Sequence, residues 1–122
     1  MNQRDLNPNK RYRYARYART SNSNQGPRSL DRQLAAIDEM IAREGRTWKC
    51  VATYCDVGQS GRDLKNDSGF QQLIRDIGAG LIIVDLIVVD TSDRFGRAAE
   101  LEGLRRLLTS GQVVMIVIAD RD

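Results

Sequence analysis

The sequence predicts an α/β domain with a mostly parallel central sheet and helices on both faces. Three observations carry this. Strand-like and helix-like segments alternate along the chain, strand first and strand last. The runs at 86–89 and 113–118 are uninterrupted and β-branched, the signature of strands covered on both faces. The helical segments between strands show apolar residues at spacings of three and four, and glycines follow the first two.

Each element has a local reason. Residues 1–11, with Asn2, Asn7, Pro8 and Asn9, carry no apolar period and are expected to be a disordered basic lead-in to one domain at 12–122. Residues 12–20 have β propensity and run into a polar loop, which makes them the first strand. Ser29 is suited to cap a helix carrying Leu30, Leu34, Ile37 and Ile41, with Gly45 at its end. Residues 47–55 read as a second strand, followed by a polar, glycine-bearing loop at 56–67. A second helix then places Phe70, Leu73, Ile74 and Ile77 on one face and stops at Gly78 and Gly80. The buried strand at 86–89 precedes a third helix at 98–108, with Leu101, Leu104 and Leu108 as its stripe, and the strand at 113–118 closes the order.

Composition narrows the chemistry. The 122 residues include no histidine, so a Ser-His-Asp triad, a histidine-ligated zinc and a histidine general base are excluded from this chain. Cys50 and Cys55 lie five apart in the second strand, which predicts side chains on opposite faces and no disulfide. They lack clustered ligand partners, so no metal and no cofactor is expected. The longest apolar stretch, 81–89, is broken by Asp85 and is about half of the roughly 20 residues a spanning helix needs. No membrane association is expected, and a start without an apolar signal core points to a reducing cytoplasm. Residues 1–32 hold eight basic and two acidic side chains, whereas 33–122 hold eleven and fourteen. Such a basic amino-terminal region suits a polyanion, duplex DNA among them, and serves equally as a solubilising tail.

In an open parallel sheet, functional groups gather beyond the carboxyl ends of the strands. That rule selects 21–25, 56–62, 90–97 and the residues after Ile118. On the first strand the period of two puts Tyr17, Arg19 and Ser21 on one face, with Ser21 at the open end. A hydroxyl beside a guanidinium suits reaction at an anionic centre such as a phosphodiester, and a serine that merely starts a turn is the plainer alternative. Arg94 and Arg97, three apart where a helix begins, would bind an anion together or serve as solvated surface charges.

Taken together, these regions resemble the catalytic domain of the serine recombinases, the resolvase and invertase family. Tyr17-Ala18-Arg19-Thr20-Ser21 is similar to that family's Tyr-x-Arg-x-Ser strand end, with Gln25, Ser29-Leu30 and Gln33 at matching spacing. Asp56-Val57-Gly58-Gln59-Ser60-Gly61 is similar to its Asp-x-Gly-x-Ser-Gly loop, Asp85-Leu86-Ile87-Val88-Val89 to its buried strand, and Asp93-Arg94-Phe95-Gly96-Arg97 to its Asp-Arg-x-x-Arg segment. The overlapping frame Tyr14-Ala15-Arg16-Tyr17-Ala18 puts alanine at the nucleophile position and is rejected. The resemblance runs from about residue 12 to residue 119.

The resemblance implies a site-specific DNA recombinase domain. Ser21 would attack a phosphodiester, giving a 5′-phosphoserine link and a free 3′-hydroxyl, with strand exchange and religation to follow. Arg19, Arg94 and Arg97 would neutralise the phosphoryl oxygens, Asp93 would orient an arginine or handle a proton, and Asp56 and Gln33 would hold the arginines. Tyr17, Gln25, Ser60 and Arg62 would line the phosphate and DNA-binding loops. Implied partners are double-stranded DNA and further copies of the chain, a dimer that becomes a tetramer in the synaptic state. The implied setting is bacterial or phage-type and nucleoid-associated.

Two departures bear on this. The family usually carries Arg-Pro-Gly after the second loop, where this chain has Asp67-Ser68-Gly69, and a carboxylate repels the phosphate that an arginine would bind. Family members continue into an assembly helix and a DNA-binding domain, whereas this sequence stops at Asp122, so stable dimerisation and site choice are expected to be weak. Two other readings stay open: a catalytically impaired recombinase-like assembly or regulatory module, and an unrelated doubly wound domain that binds a small anion.

Overall fold

The computed structural model describes residues 6–20, 26–57, 69–91 and 98–119, with the side chains of 26–29 and 98–100 left aside. The elements in order are β1 (Arg13–Thr20), α1 (Gly26–Arg43), β2 (Lys49–Val57), α2 (Gly69–Gly78), β3 (Leu86–Val89), α3 (Ala98–Ser110) and β4 (Met115–Ile118). The four strands form one sheet in the order β2-β1-β3-β4, and all three pairings are parallel. The alternation of strands and helices thus produces the α/β architecture it predicts.

The period of two divides the core between the two faces. Tyr14, Leu86, Val88, Met115 and Val117 pack with Ile37, Met40 and Ile41 of α1. Ala15, Tyr17, Ile87 and Val89 pack on the other side with Phe70, Leu73 and Ile77 of α2 and Leu104 and Leu107 of α3. All four residues of β3 are fully buried, because helices cover both of its faces.

Helix ends follow from local chemistry. Gly45 has φ +65°, its N–H donates to the Ala42 carbonyl, and the Arg46 N–H donates to the Ile41 carbonyl, so a left-handed residue closes α1. Gly80, with φ +77°, ends α2 with the same pair of bonds. At the other end, α1 begins at Gly26, three residues before the expected cap, so Ser29 lies inside the helix.

Four sequence expectations give way to tertiary effects. Order begins before residue 12: Leu6 is buried in the α1-side core, the Asn7 N–H donates to the Tyr12 hydroxyl at 3.0 Å, and the Lys10 N–H donates to the Asn7 carbonyl. Residues 1–5 of the expected lead-in lie outside the described residues. The second strand runs to Val57, which takes Asp56 out of the loop and onto a strand rung. The cysteines share a face, because a register shift leaves Val51 as an extra residue between Cys50, paired with Tyr14, and Ala52, paired with Ala15. Cys55 pairs with Ala18, four residues beyond Tyr14, which puts the two thiols roughly 13 Å apart along the sheet; both are free. Finally, α3 buries Leu104 and Leu107, whereas Leu101 is 40% and Leu108 39% exposed. A Cβ on Gly103 would lie 3.1 Å from Ile74 Cγ2, so the bare glycine side of α3 is the one that closes on α2.

Candidate functional site

The strand order defines where a ligand can enter. From β1 the chain turns through α1 to β2 on one flank, whereas from β3 it turns through α3 to β4 on the other. The connections leaving the carboxyl ends of β1 and β3 therefore diverge, and the crevice between them is the topological switch point. Those two ends carry Thr20 and Val89, and they lead to Ser21 and to the 92–97 segment. Ser21, Gln25, Ser60, Arg62, Asp93, Arg94 and Arg97 lie outside the described residues, as does Asp67. Tyr17, Arg19, Gln33 and Asp56 lie within them, together at the carboxyl ends of β1 and β2.

Gln33 anchors the end of β1. The β1–β3 pairing covers only Tyr14 to Arg16, so β1 runs on past it. On the stretch that follows, the buried Gln33 amide receives the Arg19 N–H at 2.9 Å and donates to the Arg19 carbonyl at 2.8 Å. One side chain thereby satisfies both backbone groups of the residue, as a neighbouring strand would. Both of these bonds are with the main chain of Arg19, so through them Gln33 fixes the residue's position on the strand.

Asp56 anchors the end of β2. It is the cross-strand partner of Arg19, yet its carboxylate accepts from the Gly69 N–H at 2.7 Å, the Phe70 N–H at 2.9 Å and the Tyr17 hydroxyl at 2.8 Å. It therefore caps α2 from a distant element and complements the positive end of the helix dipole. The capping residue stands thirteen positions before the helix, so no local sequence rule identifies it. Gly69 makes the approach feasible: a Cβ there would sit 2.5 Å from the Cys55 carbonyl oxygen. Tyr17 is fully buried, with its ring edge-on to Phe70 at 5.4 Å, which places it beneath the site as a support.

At the end of β3, the Asp90 carboxylate accepts the Thr91 N–H at 2.7 Å, where the chain bends out of the strand. Near β2, burial pushes the Cys55 thiol up, with Arg16 opposing and Asp56 and Asp31 adding to the rise. A raised thiol pKa disfavours the thiolate, so Cys55 lacks the lowered pKa of an activated cysteine. Among the described residues no group of three or more metal-ligating side chains lies together, and no helix is long and apolar enough to cross a membrane. What the arrangement supplies is a rigid edge: two side-chain clamps hold the β1 and β2 ends, and the chain leaves β1 directly into Ser21.

Comparison with known proteins gives one family and a consistent set of folds. Residues 14–122 match the family model described as the resolvase N-terminal domain. The N-terminal catalytic domain of TP901-1 integrase is similar at 28% identity and TM-score 0.66, over 87% of this chain and 77% of that one. A resolvase family site-specific recombinase from Streptococcus pneumoniae shares the fold at TM-score 0.69 and 23% identity, over 88% and 72% of the two chains. So does the C-terminal catalytic domain of an IS607-like serine recombinase, ISC1926 TnpA, at TM-score 0.68 and 24% identity, over 90% and 71%. A search of curated proteins finds no match.

Proposed function

The chain belongs to the resolvase family of serine recombinases, and on that premise we propose that Ser21 is the nucleophile of a DNA strand-cleaving and rejoining reaction. The Ser21 oxygen attacks a backbone phosphorus, the P–O3′ bond breaks, and the products are a 5′-phosphoserine ester and a free 3′-hydroxyl. After strand exchange a 3′-hydroxyl attacks the ester and releases the serine. The ester conserves the bond energy, so the cycle needs no ATP, and the proton count closes over the two transfers.

The observation that supports this reading is the clamped end of β1. Gln33 holds both backbone groups of Arg19, two residues before Ser21, at the switch point of a parallel sheet. In this reading Arg19, Arg94 and Arg97 neutralise the charge that grows on the phosphoryl oxygens, and Asp93 orients one of them or handles a proton. Gln25, Ser60 and Arg62 line the approach of duplex DNA. The working assembly is a homo-oligomer, a dimer that becomes a tetramer at synapsis, in the cytoplasm on nucleoid DNA.

Asp67 favours a second reading, a recombinase-like module of impaired catalysis, since a carboxylate stands where the family's arginine meets the phosphate. One assay separates the two. The chain, Ser21→Ala and Asp67→Arg are incubated with a nicked, labelled duplex, and the DNA-linked protein is counted on a denaturing gel. Adduct from the parent that is lost in Ser21→Ala, and raised in Asp67→Arg, is the expected result. Equal adduct from Ser21→Ala overturns the nucleophile, and no adduct from the parent or Asp67→Arg even when each is fused to a DNA-binding domain, beside measurable self-association, favours the impaired module.

A further inference from the structure

The amino ends of the strands, at the opposite edge of the sheet from Ser21, gather positive charge from separate parts of the chain. Lys10 and Arg11 lead into β1, Arg13 opens it, Arg43 stands in the last turn of α1, and Lys49 opens β2. Arg13 and Lys49 are direct cross-strand partners, and the Lys49 N–H donates to the Tyr12 carbonyl at 2.8 Å, so the basic positions before and at the two strand starts are neighbours.

Like charges on facing rungs repel, and the local carboxylates cover only part of the excess. Asp85 takes the Arg13 backbone N–H at 2.9 Å and lies 3.5 Å from its guanidinium; Glu44 lies 3.6 Å from Arg46. Lys10, Arg11, Arg43 and Lys49 have no carboxylate within ion-pair distance among the described residues, and all four are exposed.

An aromatic cluster lies beside this charge and holds two of the basic side chains, Lys10 and Arg46. Trp48 is buried and meets Tyr12 and Tyr14 edge-on, at ring separations of 6.3 and 6.2 Å. Arg46 lies over the Trp48 ring at 5.3 Å, and the Lys10 ammonium over Tyr12 at 4.9 Å. Lys10, held over a buried ring, gives up less conformational freedom than a free side chain when it meets an anion.

We propose that this surface is a second phosphate-binding face, which takes the backbone of duplex DNA away from the cleavage site. The eight residues of β1 span roughly 25 Å, so the phosphate attacked by Ser21 is out of its reach. On one duplex the phosphates it meets lie at least about seven base pairs from the cut. The choice of DNA among polyanions rests on the recombinase reading; the cationic face does not.

The test is fluorescence anisotropy of a labelled 20-base-pair duplex against the full chain, from low to physiological salt. Arg11→Glu/Lys49→Glu is compared with Arg105→Glu/Arg106→Glu, which makes the same change of net charge on two exposed arginines of α3. The first pair is expected to weaken binding about tenfold or more and to lower the slope of log affinity against log salt by about two, and the second to do much less. Unchanged far-ultraviolet circular dichroism and melting temperature establish that each variant is folded. Equal losses from both pairs, or an affinity within twofold of the parent for the first, overturn the proposal. Polyglutamate that competes as well as unlabelled duplex at equal charge overturns the assignment to DNA. Lost binding in Arg11→Glu/Lys49→Glu beside an inactive Ser21 would sink the catalytic reading and leave this face standing.

Discussion

Asp56→Ala should destabilise the domain by about 3 kcal/mol, for two separable reasons. The carboxylate accepts the Gly69 and Phe70 N–H groups at 2.7 and 2.9 Å, and loss of a helix cap of this kind costs about 1 kcal/mol. It also accepts the Tyr17 hydroxyl at 2.8 Å, and removing that partner from a fully buried side chain costs about 2 kcal/mol more. For a domain of this size the sum lowers the melting temperature by about 12 °C. Tyr17→Phe removes the hydroxyl and keeps the cap, so the two changes share one interaction. The double variant should therefore be more stable than the sum of the singles by about 2 kcal/mol. Urea unfolding of the four proteins, followed by circular dichroism at neutral pH, measures this directly. Additivity within about 0.5 kcal/mol would refute the shared bond, and a loss below about 1 kcal/mol for Asp56→Ala would refute the cap as well.

Gly69→Ala should cost about 1–3 kcal/mol, because the new Cβ falls 2.5 Å from the Cys55 carbonyl oxygen and α2 must move off β2. An alanine in an unconstrained helix position would be stabilising, so the sign of the change in urea midpoint decides the matter. Stability should also fall between pH 10 and 12. Burial first, with the nearby Cys50 and Asp38 adding and Arg16 opposing, pushes Tyr14 up to about 12; burial and then Asp76, 2.6 Å from the hydroxyl, push Tyr54 up to about 12. The unfolded chain releases these protons near pH 10 while the folded chain keeps them, so the contribution is full below pH 10 and is lost as pH rises toward 12. Urea midpoints at pH 8, 10, 11 and 12 should show the decline, and Tyr54→Phe should flatten it; a parent curve with no decline would contradict the burial argument.

How much of this was legible in the sequence depends on the range of the interaction. The β-branched run of β3 and the stripe of α1 are local patterns, and they report the covered strand and the amphipathic helix correctly. Order at Leu6 is invisible to periodicity, since one apolar residue among asparagines becomes structural only when it finds the α1-side core. The cysteines mislead because counting in twos assumes an unbroken ladder, and the shift at Val51 adds a residue that no propensity marks. The rotation of α3 fails for a related reason. Its leucines fit a 101-104-108 stripe, with Leu107 beside it, and contact between Gly103 and Ile74 selects the side that turns inward. At the site, motif spacing located Tyr17, Arg19, Gln33 and Asp56 together, while the partners of the last two depend on where α1 and α2 dock.

Gln33 and Asp56 also explain how a short sheet can hold its strand ends at the switch point. The β1–β3 ladder covers Tyr14 to Arg16, and from there β1 extends along a flank where β3 no longer pairs with it. A strand end paired on the β2 side alone is prone to fray, and on the proposed reading fraying by even an ångström is costly for a serine that must approach phosphorus in line. Further rungs of β3 would cure the fraying but extend the ladder into the crevice at the switch point. A side-chain amide from α1 satisfies Arg19 without occupying the space beyond the strand end, and a carboxylate from β2 ties α2 and Tyr17 to the adjacent rung. Both clamps act on the strand ends themselves. On the proposed reading, the loop groups that meet the phosphate can then depart from the family pattern, Asp67 among them, while the strand end that leads to Ser21 keeps its hydrogen bonds.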